Sequence, residues 1–151
     1  MEFMDAGHAM TVEKTPDPAD AQFVRAQLTA FNRAWTADDQ LQPLLIVARD
    51  AEGQIVAGLV GGTYWGWLYT EILWVEEGLR GKGYGQSLLA AAEVEAVRRG
   101  CCNAHLDTMD FQALRFYQKQ GYSIFAELED IPAGSGHRRY SLKKRLAPGQ
   151  G

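Results

Sequence analysis

The stretch Arg80–Leu89, RGKGYGQSLL, decides the reading of this chain. Gly81, Gly83 and Gly85 alternate beside Arg80 and Lys82, and an apolar stripe at helical spacing begins directly after them. Before them runs WLYTEILWV (67–75), a β-branched and aromatic segment that predicts a central strand. A strand that turns through glycines into a helix presents backbone N–H groups with no intrahelical acceptor, and such groups bind anions. Without a Cβ in the way, an oxygen-rich ligand comes close. One glycine would suit a tight connection alone; three, beside two cations, point to a phosphate ligand.

Working outward, Leu88, Leu89, Ala92 and Ala96 form one helical stripe, with Glu93, Arg98 and Arg99 off it and Gly100 as the stop. CCNAHLD predicts a strand, FQALRFYQKQ a short helix ended by Gly121, and YSIFAEL another strand. The loop EDIPAGSG leads to a last strand in which Tyr140 and Leu142 alternate with polar residues. On the other side, LLIVAR (44–49), the turn DAEGQ and IVAGLVGGTY (55–64) read as a hairpin, with Gly61 and Gly62 marking a bulge or a close backbone approach. A turn at Trp65–Gly66 returns the chain into WLYTEILWV. Further upstream, AMTVEK (9–14) predicts a first strand and Pro18 to Trp35 a helix with Ala21, Val24, Leu28, Phe31 and Trp35 on one face. Residues 1–8 read as a loose or expression-derived end. The order gives a mixed α/β fold: a largely antiparallel twisted sheet flanked by helices, in one domain over residues 1–151.

Composition narrows the partners. Apolar residues make up 46% of the chain and charged residues 23%, the balance of a soluble globular protein, and the net charge is −4. A phosphate backbone is gripped by excess Lys and Arg, so nucleic acid is not expected, and no apolar run approaches the ~18 residues of a membrane span. Cys101 and Cys102 are adjacent, so no disulfide framework is expected and a reducing cytoplasm is the default. They read as structural thiols rather than nucleophiles.

Two phosphate-binding patterns fail. A Walker loop needs Ser or Thr after its lysine, and Gly83 follows Lys82; the dinucleotide fingerprint needs a third small residue where Gln86 and Leu88 stand. What remains is Arg80-x-x-Gly83-x-Gly85 after the strand LWV, joined downstream by ALRFYQKQGY with its aromatic–Tyr pair and Gly–aromatic step. In these two segments the sequence resembles the GNAT family of acyl-CoA-dependent N-acetyltransferases, over roughly Gln54 to Leu146. The resemblance implies acetyl-CoA as cosubstrate, with its diphosphate against the loop Arg80, Gly81, Lys82, Gly83, Gly85, Gln86 and Ser87, and its pantetheine arm along the backbone of Trp74 and Val75. It implies direct transfer, with no metal and no covalent enzyme intermediate. Where many members carry Asn in the second segment, this chain has Asp110, which accepts hydrogen bonds but does not donate them. Members often dimerise, but no feature here compels a homodimer.

Acyl transfer to an amine needs a neutral nucleophile, donors for the oxyanion and a proton for the leaving thiolate. Deprotonating a lysine-like amine of pKa ~10.4 at pH 7 costs about 4.6 kcal/mol, so a base or a water path is sought. The resemblance puts Tyr117 beside the thioester sulfur as the acid; Ala113, Phe116 and Tyr117 equally suit a core face. Two residues compete as base. Glu71 lies in the central strand, where simple alternation groups it with Tyr69, Leu73 and Val75, and a paired structural role is the alternative. His137 ends the late loop, and histidine titrates near neutral pH; a solvent-exposed loop histidine is the plainer reading. The aromatics of TYWGWLY suit either cross-strand packing or a wall of the acceptor pocket able to hold a cation or a ring. The acceptor, a small molecule or a protein amine, is not legible. An acyl-CoA-binding sensor without catalysis is the alternative function, keeping Arg80, Gly83 and Gly85 and dispensing with acid and base.

Overall fold

The computed structural model describes residues 3–5, 7–37 and 40–146. The chain forms two compact units, Met1–Asp39 and Gln40–Gly151. In the first, β1 (Phe3–Asp5) pairs antiparallel with β2 (His8–Met10), and α1 spans Pro18–Asn32. Asp17 caps α1 by accepting from the Ala19 amide at 2.8 Å, and Pro18 supplies a pre-set φ in the first turn. The strand expected over AMTVEK stops at Met10 and pairs only with β1, so part of the end expected to be loose is a hairpin. Met1, Glu2 and Ala6 lie outside the described residues. Trp35, expected on the helix, follows its last turn.

The second unit is a six-stranded sheet, ordered β3-β4-β5-β6-β8-β7. Its strands are β3 (Gln42–Arg49), β4 (Ile55–Tyr64), β5 (Trp67–Val75), β6 (Asn103–Met109), β7 (Ser123–Leu128) and β8 (Arg139–Arg145). Only β5 and β6 run parallel. A parallel pair needs a crossover, and α2 (Tyr84–Arg98) provides it after a single 3-10 turn, Glu77–Leu79. The short helix α3 (Leu114–Lys119) links β6 to β7.

The stripe read from the sequence is the buried face of α2: Leu88, Leu89, Ala92 and Ala96 join Leu59, Leu68, Ala104, Leu106 and Leu142 in one core. Its alanines keep the helix close to the sheet, and each fully buried leucine stabilises by roughly 1.5–3 kcal/mol. Two polar clasps fix the position of α2. Arg99 Nη1 donates to the carbonyls of Gln42 and Pro43 and to Thr63 Oγ1 at 3.1–3.2 Å. Glu93 accepts from Lys144 Nζ at 2.8 Å and from the Tyr122 hydroxyl at 3.1 Å.

Two departures from regularity shape the sheet's centre. Pairing between β5 and β6 ends at Thr70–Leu106, although β5 continues to Val75 and β6 to Met109, so the strands part into a notch. Beside it, Val60 pairs with Ile72 and Gly61 with Thr70, which leaves Glu71 as the extra residue of a bulge. The glycine read as a bulge marker is needed here, because a Cβ at Gly61 would stand 2.2 Å from the Tyr69 carbonyl oxygen. The extra residue itself belongs to β5. This corrects the simple alternation: Leu68 and Thr70 face α2 before the bulge, Leu73 and Val75 after it, and Tyr69 points to the opposite side.

Candidate active site

The notch opens on the α2 side into a groove of about 710 Å³. Leu73, Trp74 and Val75 form its strand wall, Arg80, Gly81, Gly83, Gly85 and Gln86 its loop, and Phe116 and Tyr117 of α3 its far side. The loop is built as an anion cradle. Gly83 sits at the helix N-cap with φ +91° and no side chain capping the first turn. The first intrahelical bond runs from the Ser87 amide to the Gly83 carbonyl, so among the described residues the amides of residues 81–86 meet no protein acceptor. A Cβ added at Gly81 or Gly83 would enter open space, where a ligand oxygen has room to approach. At Gly85 a Cβ would come 3.5 Å from the Phe116 ring, an ordinary van der Waals contact, so the start of α2 lies close to α3.

Arg80 lines the groove but is partly committed, since its Nε donates to the Val75 carbonyl at 3.0 Å and ties the loop to the end of β5. Lys82 and Ser87, expected against the phosphates, do not line the groove. At the apex of the notch the buried Thr70 Oγ1 has no hydrogen-bond partner and does not line the groove. The cradle and the unpaired β6-side edge of β5 fit a diphosphate joined to a long amide-bearing arm.

Tyr117 is the acid candidate that the groove contains. It is buried, edge-on to Phe116 with centroids 5.1 Å apart, and burial pushes its phenol above the usual range, which keeps the proton on the oxygen. Glu71 stands exposed on the bulge, outside the groove. His137 and Asp110, two residues singled out separately, meet each other: Asp110 Oδ1 lies 2.9 Å from His137 Nδ1, and Oδ2 accepts from the Arg138 amide at 3.1 Å. Asp110 itself does not line the groove, although Phe111 and Gln112 beside it do. The imidazole packs edge-on to Phe111, centroids 4.8 Å apart, and Phe111 lines the groove. The loop that carries His137 is pinned from within, because Asp130 accepts the amides of Gly134 and Gly136 at 3.0 and 2.9 Å.

His105 and Asp107 were passed over in the sequence, although the alternation of CCNAHLD puts both on one side of the strand. They lie on the sheet face opposite α2. Tyr64, Trp67 and Tyr69, the aromatics of the hairpin, surround His105.

Comparison with known proteins agrees with this geometry. The model of the Acetyltransferase (GNAT) family matches residues 9–122. The chain is 40% identical over 133 residues to acetyltransferase Atu2258 of Agrobacterium fabrum, covering 86% of this chain and 96% of that one. It is 41% identical over 99 residues to blasticidin-S acetyltransferase of Streptomyces morookaense, covering 63% of this chain and 73% of that one. The crystal structure of an acetyltransferase from Bacillus cereus superposes with a TM-score of 0.79 at 30% identity, covering 90% of this chain and 98% of that one. By the family model that it matches and the relatives to which it is similar, the chain belongs to the GNAT acetyltransferase family, whose members move the acetyl group of acetyl-CoA onto an amine.

Proposed function

We propose that this chain acetylates a primary amine of a small cationic compound by direct attack, with Tyr117 as the acid and His137, oriented by Asp110, as the base. Acetyl-CoA supplies the activated thioester carbonyl and a good leaving thiolate. The amides of residues 81–86 and the free N–H groups of Arg80 hold the diphosphate, and the backbone of Trp74 and Val75 aligns the arm. Tyr117 hands its phenolic proton to the departing sulfur. His137 receives the ammonium proton while Asp110 fixes its Nδ1, leaving Nε2 free to accept. Held by Asp110 and packed on a groove-lining ring, His137 is the better supported base; Glu71, on the bulge, is the second candidate.

The observation that carries this reading is the cradle of unpaired amides joined to a buried, protonated phenol in one groove. A relative that acts on blasticidin S supports a small-molecule acceptor over a protein. The family match runs through both compact units, which supports one catalytic domain over residues 1–151. No helix among the described residues is long and apolar enough to cross a membrane, and both cysteines are free; a cytoplasmic setting is the reading consistent with them.

The test is release of coenzyme thiol from acetyl-CoA across a panel of amines. Release with at least one amine, lowered steeply in Tyr117→Phe, supports the transferase. Binding of acetyl-CoA by calorimetry with no release for any amine would instead favour the sensor.

A further inference from the structure

The sheet face opposite α2 carries a cluster that the acid and base above do not use. His105 Nε2 stands 2.7 Å from the Tyr64 hydroxyl. Tyr69 stacks on its ring, centroids 5.0 Å apart and planes inclined by 26°, and Trp67 closes edge-on at 5.6 Å. Asp107, two residues on and exposed, is held by the Ser141 hydroxyl. Two features place this cluster at the reaction centre. The pair Tyr69–His105 is the neighbour of Thr70–Leu106, the last pair before β5 and β6 part. Tyr69, just before the bulge, stands on this face, and the bulge sets Leu73 and Val75 on the other, where they line the groove. A molecule resting on Tyr69 and Asp107 therefore reaches the same notch from the opposite side of the sheet.

We propose that Tyr69, His105 and Asp107 form the acceptor subsite and select an amine that carries a second positive charge. This rests on the acetyltransferase reading and names the class of its acceptor. The ionisable groups that face the site are Tyr64 from β4, Glu71 from β5, Asp107 from β6, and Arg139, Lys143 and Arg145 from β8, with the Lys143 ammonium drawn over the Phe125 ring. Burial raises the Tyr69 phenol first; the charges of Asp107 and then Glu71 raise it further, and Arg139 opposes them less strongly. Of the charged groups, Asp107 is thus the one that acts most strongly on the Tyr69 hydroxyl. Burial also lowers the pKa of His105, more than Asp107 raises it, so the imidazole is neutral at pH 7 and adds no repelling charge. The electron-rich faces of Tyr69 and Trp67 complete a setting in which a cation is attracted and an anion is not. Packing alone accounts for the aromatics, but not for the carboxylate beside them at the notch.

Three primary amines of similar length separate the outcomes: agmatine with a cationic tail, hexylamine with a neutral one and 6-aminohexanoate with an anionic one. The expected order of kcat/KM is agmatine first by at least tenfold, then hexylamine, then 6-aminohexanoate. In Asp107→Asn the first gap shrinks to within about threefold while the KM for acetyl-CoA stays the same. Because Asp107 is exposed, this variant folds; Tyr69→Leu is the second, raising the agmatine KM with kcat largely kept. Equal kcat/KM for agmatine and hexylamine, a preference that survives Asp107→Asn, or no release with any of the three while acetyl-CoA still binds would each overturn the proposal. Failure of acetyl-CoA itself to bind would instead overturn the reading on which it rests.

Discussion

The two faces of β5 differ more than its sequence suggests. On the α2 side Leu68, Leu73 and Val75 belong to the core and the groove wall, beside a loop of unpaired backbone amides. On the other side Tyr69, Ile72 and Trp74 are part-exposed or exposed, and rings stand beside a carboxylate. One strand serves both because the extra residue Glu71 shifts the phase of its side chains just where β6 departs. A regular strand would present one alternating pattern to each face along its whole length. The bulge lets the core-facing set stop, the notch open, and the groove-facing set begin.

The donor side is the more sensitive of the two, and Gly83→Val strikes it hardest. A β-branched residue at φ +91° is strained, and its side chain would fill the cradle. Affinity for acetyl-CoA, read by calorimetry, is expected to fall more than a hundredfold with the melting temperature changed far less. Tyr117→Phe tests chemistry rather than binding: kcat should fall about a hundredfold, in the range of general acid catalysis, with the KM for acetyl-CoA within about twofold. Retention of full turnover would remove Tyr117 from the mechanism.

Gly61→Ala attacks the device that separates the faces. With its Cβ 2.2 Å from the Tyr69 oxygen, the bulge must shift, at a cost of about 2–3 kcal/mol, or roughly 5–10 °C in the midpoint of thermal unfolding. Both substrates should then bind more weakly, whereas the variants of either face affect one. Asp110→Asn keeps the shape of the His137 pair and removes its charge. A drop of about tenfold in kcat and an altered pH–rate profile, matched by His137→Ala but not by Glu71→Gln, would assign the base. The reverse pattern would transfer that role to the bulge.

The smallest effect lies far from the site. Hydrogen bonds from Arg98 and Arg99 hold the Glu95 carboxyl down at about 2, below the ordinary ~4.3 of glutamate. A carboxylate with a lowered pKa stabilises the fold above its unfolded value and loses that contribution as the pH falls toward 2. Glu95→Gln should therefore flatten the stability profile slightly between about pH 4 and 2 and leave activity at pH 7 unchanged. Ion pairs near the surface are weak and screened by salt, so melting curves at low salt are the measurement of choice.

Much of the donor site was legible because local chemistry dictates it. Glycines ahead of a helical stripe fix an uncapped helix start, and periodicity alone picked out Leu88, Leu89, Ala92 and Ala96 as the face that α2 buries. The proposed acceptor side was legible only in its aromatics, which stand together in TYWGWLY; His105 and Asp107 join them from another strand. His105 is unremarkable in CCNAHLD until β4 and β5 bring three aromatic rings around it. Asp110 reads as a cofactor contact within its own segment, and only the return of β8 alongside β6 gives it His137 as a partner. Lys82 and Ser87 belong to the same motif as the cradle but are not among the residues that line the groove.

By itself the sequence determined the order of elements from α1 onward, the buried face of the crossover helix and the glycine turn whose amides stay unpaired, because each depends on neighbours within a few positions along the chain. Tertiary structure alone decided where β5 and β6 part, which side Tyr69 faces and which carboxylate holds which imidazole. Those depend on strand register, and a single extra residue in one strand, Glu71, reverses the side on which every later side chain stands.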